Sequence, residues 1–149
     1  MKKETFLKIA EAIAEESKCI KLQVGAVIVK DDRIISTGYN GTPSGTPTCQ
    51  EEFYNTNTPS TFSQKHHEWS NIHEIHAEMN AILFAAKNGI STNGATLYCT
   101  HEPCDQCMKN IIQAGIIKVI YKYPYNNDCC KCEYRYNKNI IDVECYNND

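Results

Sequence analysis

Several things are missing from this chain, and each absence narrows what it can be. No apolar run approaches the ~20 residues that a membrane-spanning helix needs. Met1-Lys2-Lys3-Glu4 leads straight into an amphipathic pattern, without the apolar core of a signal peptide. Positive charge is not in excess: 15 Lys and Arg face 18 Asp and Glu, for a net charge of -3. A nonspecific nucleic-acid binder is normally basic, and no basic, aromatic-lined groove can be traced here. No segment repeats. The expectation is a cytoplasmic protein with neither membrane nor nucleic acid as a partner.

What is present fits one domain, since 149 residues suffice for a real core. Hydrophobic content of 42% and charged content of 22% are ordinary for a globular protein. Nine cysteines are not ordinary. Without a secretion signal disulfides do not persist, so metal binding or catalysis is the better account of them. An odd count also leaves one thiol outside any complete pairing, and Cys99, within an apolar run, reads as a small buried hydrophobe.

Apolar residues at Phe6, Leu7, Ile9, Ala10, Ile13 and Ala14 predict a helix from Glu4 to Ser17. Val24 to Val29 and Arg33 to Tyr39 read as a hairpin turning at Lys30-Asp31-Asp32. Residues from about 41 to 68 form a polar, Gly-, Pro-, Thr- and Asn-rich loop, long enough to be functional. A second helix is expected from Glu74 to Asn88, with Ile75, Met79, Ile82, Leu83 and Ala86 as its apolar stripe and Gly89 as its stop. Ala95 to Cys99 reads as a strand, Cys104 to Ala114 as a helix, and Ile117 to Tyr121 as a strand. An Asn- and Cys-rich segment from about 126 to 149 contains one weak strand, Ile140 to Cys145. This order suggests a three-layer α/β/α sandwich in a single domain, 1–149.

Chemistry concentrates in His76-Ala77-Glu78 and Pro103-Cys104-Asp105-Gln106-Cys107. Two cysteines three apart share a face in the first turn of a helix, where partial positive charge favours thiolates. With His76 they make three ligands for zinc and leave its fourth position to water. Such a water loses a proton near neutral pH, and Glu78 stands close enough in sequence to shuttle it. The structural alternative is a four-cysteine ribbon pairing Cys104-x-x-Cys107 with Cys129-x-x-Cys132. It leaves His76 and Glu78 without a role.

This pattern resembles the zinc-dependent cytidine deaminase signature. Glu16-Ser17-Lys18-Cys19, Val24 to Ile28, Ile35-Ser36-Thr37-Gly38-Tyr39-Asn40-Gly41 and His76 to Ile82 are similar to the deoxycytidylate (dCMP) deaminases, especially of phages and viruses. The likeness runs to about Tyr125. It implies a central mixed five-stranded sheet and hydrolysis of dCMP to dUMP and ammonia in the (host) cytoplasm. His76, Cys104 and Cys107 would hold zinc, with Glu78 as general acid and base. Asn40 would hold the sugar hydroxyl, Ala77 would be a further substrate-binding residue, and Ser17, Lys18 and Tyr125 would hold the 5′-phosphate or shape its pocket. Lys18 is chemically apt for a phosphate, though a solvated lysine and a packed Tyr125 are the plain alternatives. Gln23 stands where a lysine would be expected, and His101-Glu102 stand where relatives carry apolar or small residues. Cys19, Cys49 and His66 match a second, structural zinc, stapling the polar loop, with Glu74 preferred as fourth ligand over His67 and His73. The resemblance further implies a homohexamer activated by dCTP and inhibited by dTTP, with magnesium, bound near Gly38, Tyr39 and Gly41. Cys129, Cys130, Cys132 and Cys145 are candidates for one more thiolate site. The alternatives are a broader deaminase that also takes dCTP or another cytosine nucleotide, and a zinc-stabilised module without catalysis.

Overall fold

The computed structural model describes residues 1–53, 59–124 and 132–146. Its centre is a five-stranded sheet. The strands are β1 (Gly25–Lys30), β2 (Arg33–Tyr39), β3 (Thr96–His101), β4 (Lys118–Tyr123) and β5 (Asp142–Cys145). They lie in the order β2-β1-β3-β4-β5. β1 is antiparallel to β2 and β3, whereas β4 runs parallel to β3 and β5, so the sheet is mixed as expected. Asp31 and Asp32 turn the hairpin with positive φ, which short polar side chains tolerate.

Successive residues of β1 point to opposite faces, and both faces are covered. Val27 and Val29 meet Phe6, Leu7 and Ala10 of α1 (Lys3–Ala14), together with Tyr98 and Ile120. On the other side Ala26 and Ile28, with Leu97, Cys99 and Val119, meet α4 (Ala77–Lys87) and α5 (Asp105–Gln113). Burial on both faces is why β1 reads as an unbroken apolar run.

The segment expected to be loop carries two helices, α2 (Cys49–Glu52) and α3 (Pro59–His73). Thr48 caps α2 by accepting from the Glu51 amide at 3.2 Å. The polar composition hid α3 because its apolar content is too sparse to print a stripe.

α4 departs from its expected register in two ways. It begins at Ala77, not Glu74, because Ile75 is extended and exchanges backbone hydrogen bonds with Gly41 at 2.8 and 3.1 Å. Its buried stripe is Ala77, Glu78, Ala81 and Ala85, while Leu83 and Phe84 stand 47% and 51% exposed. Alanines let the helix lie close against β2. Gly38 completes this fit, since a Cβ there would strike the Ala77 carbonyl and come within 2.5 Å of the Ala81 nitrogen. Ser36 Oγ donates to the Ala81 carbonyl at 2.6 Å, and Asn80 Nδ2 to the Tyr39 carbonyl at 2.7 Å. Gly89, at φ 67°, ends the helix as expected. The tail is less solvated than its composition suggests: a 3₁₀ turn (Glu133–Tyr136) buries Arg135, and β5 closes the sheet.

Candidate active site

Two helix N-termini converge at the carboxyl end of β3. His76 is the N-cap residue of α4 and Cys104 that of α5, and neither side chain is spent on capping. The Nδ1 atom of His76 lies 3.5 Å from Cys104 Sγ and 3.2 Å from Cys107 Sγ. Ligand atoms about 2.0–2.3 Å from one tetrahedral ion stand roughly 3.3–3.8 Å apart. His76, Cys104 and Cys107 are thus spaced as three corners of such a site, and Cys132 does not join them.

The electrostatics suit a cation. The Cys104 thiol is drawn down to about 4, first by the hydrogen bond from Cys107 and, against its own burial, by His76. Cys107 is pushed up by its bond to Cys104 and by burial, and an ion bound by both thiolates would displace its proton. His76 is raised, chiefly by its hydrogen bond to Cys104. Beneath them Glu78 is 4% exposed. Burial pushes its carboxyl above the ordinary range, partly offset by the amide at the start of its own helix. A carboxyl poised nearer neutrality suits proton transfer in both directions. Cys99, wholly buried nearby, is raised well above the usual thiol range by desolvation and remains a packing residue, as its apolar context predicts.

A second cluster lies alongside. Cys19 Sγ is 3.5 Å from His66 Nε2 and 3.7 Å from Glu74 Oε1, which is itself 3.6 Å from His66 Nε2; Cys49 completes the group. α2 supplies Cys49, α3 supplies His66, and Glu74 follows α3. Glu74 is therefore the fourth member. His73 instead stacks on Trp69 and hydrogen-bonds its carbonyl, and His67 is exposed. The donor set fits a metal, since Glu74 Oε2 is buried without a hydrogen-bond partner; burial holds the Cys49 thiol up at about 12, so an ion there would have to displace its proton. Desolvation lowers His66, keeping its imidazole neutral and able to ligate. Among the described residues, Cys132 and Cys145 enter no such group, while Cys129 and Cys130 lie outside them.

One cavity of about 490 Å³ joins the two clusters, with Cys19, His66 and Glu74 on one side and His76, Glu78 and Cys104 on the other. Ala77 and Asn40 also line it. Asn40 is held rigidly: Oδ1 accepts from the Val24 amide and Nδ2 donates to the Leu22 carbonyl, both at 2.8 Å. Its carbonyl accepts from Ser17 Oγ at 2.7 Å.

The remaining candidates are spread around this cavity. Ser17 is buried behind the wall, so it shapes the cavity through Asn40 and does not line it. Lys18 is exposed and outside the lining, where Lys21 stands instead. The cause is the end of α1 at Ala14, after which helical spacing no longer tells which lysine turns inward. Gln23 donates to the Ser17 carbonyl at 3.0 Å and so serves this bend. Tyr125 lies outside the described residues. Of the three effector-site expectations, Gly38 is buried under α4, Tyr39 is exposed, and Gly41 pairs with Ile75. Leu22, Val24, His67, Ser70, Asn71, His101, Glu102 and Gln106 complete the walls; their closeness in the chain to Cys19, His66 and Cys104 is the one signal that marks them.

The family model for the cytidine and deoxycytidylate deaminase zinc-binding region matches residues 1–123. The chain belongs to that family. It is accordingly an enzyme of a zinc-dependent hydrolase family, and its fold is the one expected for it. The deoxycytidylate deaminase of Enterobacteria phage T4 is 42% identical, over 86% of this chain and 81% of that protein. That of phage T2 is 44% identical, over 86% and 83%. The crystal structure of the dCMP deaminase from cyanophage S-TIM5, in complex with dCMP and dUMP, superposes with a TM-score of 0.74. It is 34% identical, and the match covers 98% of this chain and 99% of that one.

Proposed function

We propose that this deaminase hydrolyses dCMP to dUMP and ammonia, with His76, Cys104 and Cys107 holding one zinc. The observation that carries the reading is Glu78. A carboxyl buried beside a three-ligand cluster and lining the same cavity has its partners within that cluster, Cys107 and His76, and among the described residues pairs with no lysine or arginine. Zinc held there supplies the Lewis acidity that makes water nucleophilic near neutral pH. Glu78 carries one proton to N3 of the cytosine ring and another to the amino group leaving C4. The start of α4 at Ala77 walls the base, and Asn40, its rotamer locked by Leu22 and Val24, offers its remaining lone pair to the sugar hydroxyl. Lys21, a cation in the cavity lining, is offered to the 5′-phosphate with the exposed Lys18 nearby in the chain, and Ser17 acts through Asn40.

The second cluster holds a structural zinc that staples α2 and α3, which have little apolar core of their own, to the bend at Cys19. The protein works as a homohexamer in the cytoplasm, activated by dCTP and inhibited by dTTP with magnesium, the effector lying beyond Tyr39 and Gly41. Two deoxycytidylate deaminases among its relatives and the dCMP-bound S-TIM5 enzyme support dCMP over cytidine.

The test is Glu78→Gln, assayed on cytosine, deoxycytidine, CMP, dCMP and dCTP. The variant is expected to keep fold and zinc while deamination of dCMP falls by about 10²–10⁴-fold. Retained activity would sink the assignment of Glu78. A wild-type preference for dCTP would make the protein a broader cytosine nucleotide deaminase, and inactivity on all five would leave a zinc-stabilised module.

A further inference from the structure

Glu102 and Asp105 flank the metal turn with two carboxylates, and both converge on one arginine. Arg135, in the 3₁₀ turn before β5, has a side chain only 1% exposed. Its Nη1 donates to Glu102 Oε2 at 2.8 Å and to the Pro103 carbonyl at 3.2 Å. Its Nη2 donates to Asp105 Oδ1 at 2.6 Å. The other oxygen of Asp105 accepts from the Cys132 amide at 3.1 Å, which fastens the 3₁₀ turn to α5 a second time.

Every one of these acceptors neighbours Cys104. Residues 102 and 103 precede it, and 105 follows it as the first residue of α5. A guanidinium is planar with its donors in a fixed fork, so three acceptors on one fork fix the path of the backbone between them. That backbone carries Cys104 Sγ to His76 and starts the turn that carries Cys107. The charge balance also depends on Arg135, because two carboxylates beside two thiolates would make the turn strongly anionic without it.

We infer that Arg135 is a positioning residue: it sets the geometry of the Cys104–Cys107 turn, and hence how tightly His76, Cys104 and Cys107 retain their metal. This rests on the metal reading proposed above. It also accounts for Glu102, the acidic residue that departs from the apolar or small one expected before Pro103. Glu102 is needed to receive an arginine from the tail. The C-terminal segment, which sequence alone leaves as a weak appendage, is then part of the metal centre's support.

The experiment follows zinc leaving the zinc-loaded protein into an excess of a chromogenic chelator. The phase belonging to the active site is identified as the one absent from His76→Ala. Loss of groups that orient metal ligands typically costs about 10–100-fold in metal retention, and Arg135→Met is expected to release that zinc faster by this factor. Arg135→Lys, which keeps the charge but not the fork, should recover part of it. Zinc in the Cys19–Cys49–His66–Glu74 cluster should leave at the wild-type rate. In the dCMP assay kcat should fall more than KM rises, since the perturbed group is the metal and not a substrate contact. Should Arg135→Met fail to fold, Glu102→Gln removes one arm of the fork and decides the matter in the same assay. Release from the active site within about twofold of wild type in folded variants overturns the proposal, as does equal acceleration from both clusters, which signals general loosening. Wild-type protein that binds no zinc through His76 defeats the metal reading itself, a result separable from either.

Discussion

Gly38→Ala tests whether the position of α4 sets catalysis. The added methyl would strike the Ala77 carbonyl and lie 2.5 Å from the Ala81 nitrogen and 3.1 Å from its Cα, all atoms of α4 backbone. Ordinary contact begins near 3.4 Å, so no side-chain rotation relieves the clash and the helix must retreat by about 1 Å in a core packed as densely as a crystal. Overpacking of this kind costs typically 1–3 kcal/mol, which for a domain of this size lowers Tm by roughly 2–12 °C. The functional effect should exceed the stability effect. The same turn of α4 carries His76 at its cap and Glu78 in its first turn, and a displacement of about 1 Å at a reacting centre costs on the order of 10²-fold in rate. Gly25→Ala provides the contrast. Its methyl would press on α1 backbone, coming within 2.7 Å of the Ala14 nitrogen, on the opposite face of the sheet. Gly25→Ala, whose methyl also strikes the Ala10 carbonyl, should lose at least as much stability in thermal unfolding, while kcat for dCMP, followed by ammonia release, falls much further in Gly38→Ala. Equal losses of kcat in the two variants, or a Gly38→Ala enzyme with wild-type kcat and Tm, would refute the reasoning.

Cys49→Ser should reduce the zinc content by one per chain and accelerate proteolysis within α2 and α3, leaving the zinc at His76 in place; unchanged zinc content would remove the second metal site. Because burial holds the Cys49 thiol at about 12 without an ion, binding there must expel a proton, so affinity should rise with pH. The dCMP velocity curve should shift towards saturation at lower substrate on adding dCTP with magnesium, and a hyperbola unmoved by either nucleotide would strike out regulation.

Much of the site was legible because its residues announce themselves by local spacing. Cys104 and Cys107 share a helical turn whatever the rest of the chain does, and His76 and Glu78 bracket one residue at the start of another. Glu74 has two rivals in the sequence, His67 and His73, and the structure separates them because Ile75 pairs with Gly41 and swings Glu74 inward, whereas His73 remains on α3 against Trp69. Lys18 and Lys21 are not separable by such spacing. Past Ala14 the chain is neither helix nor strand, so no period assigned a face to either lysine.

The sequence by itself determined the order of the five strands and of the helices that cover them, the two-faced burial of β1, and the three candidate metal ligands with their carboxylate. These follow from periodicity and from ligand chemistry within short segments. Only the tertiary structure decided which face of α4 meets the sheet, because hydrophobicity favours Leu83 and Phe84 while closeness to Gly38 requires Ala77, Ala81 and Ala85. It alone placed Arg135 against Glu102 and Asp105, some thirty residues away in the chain. A buried charge finds its partners through folded space, and no local pattern records who they are.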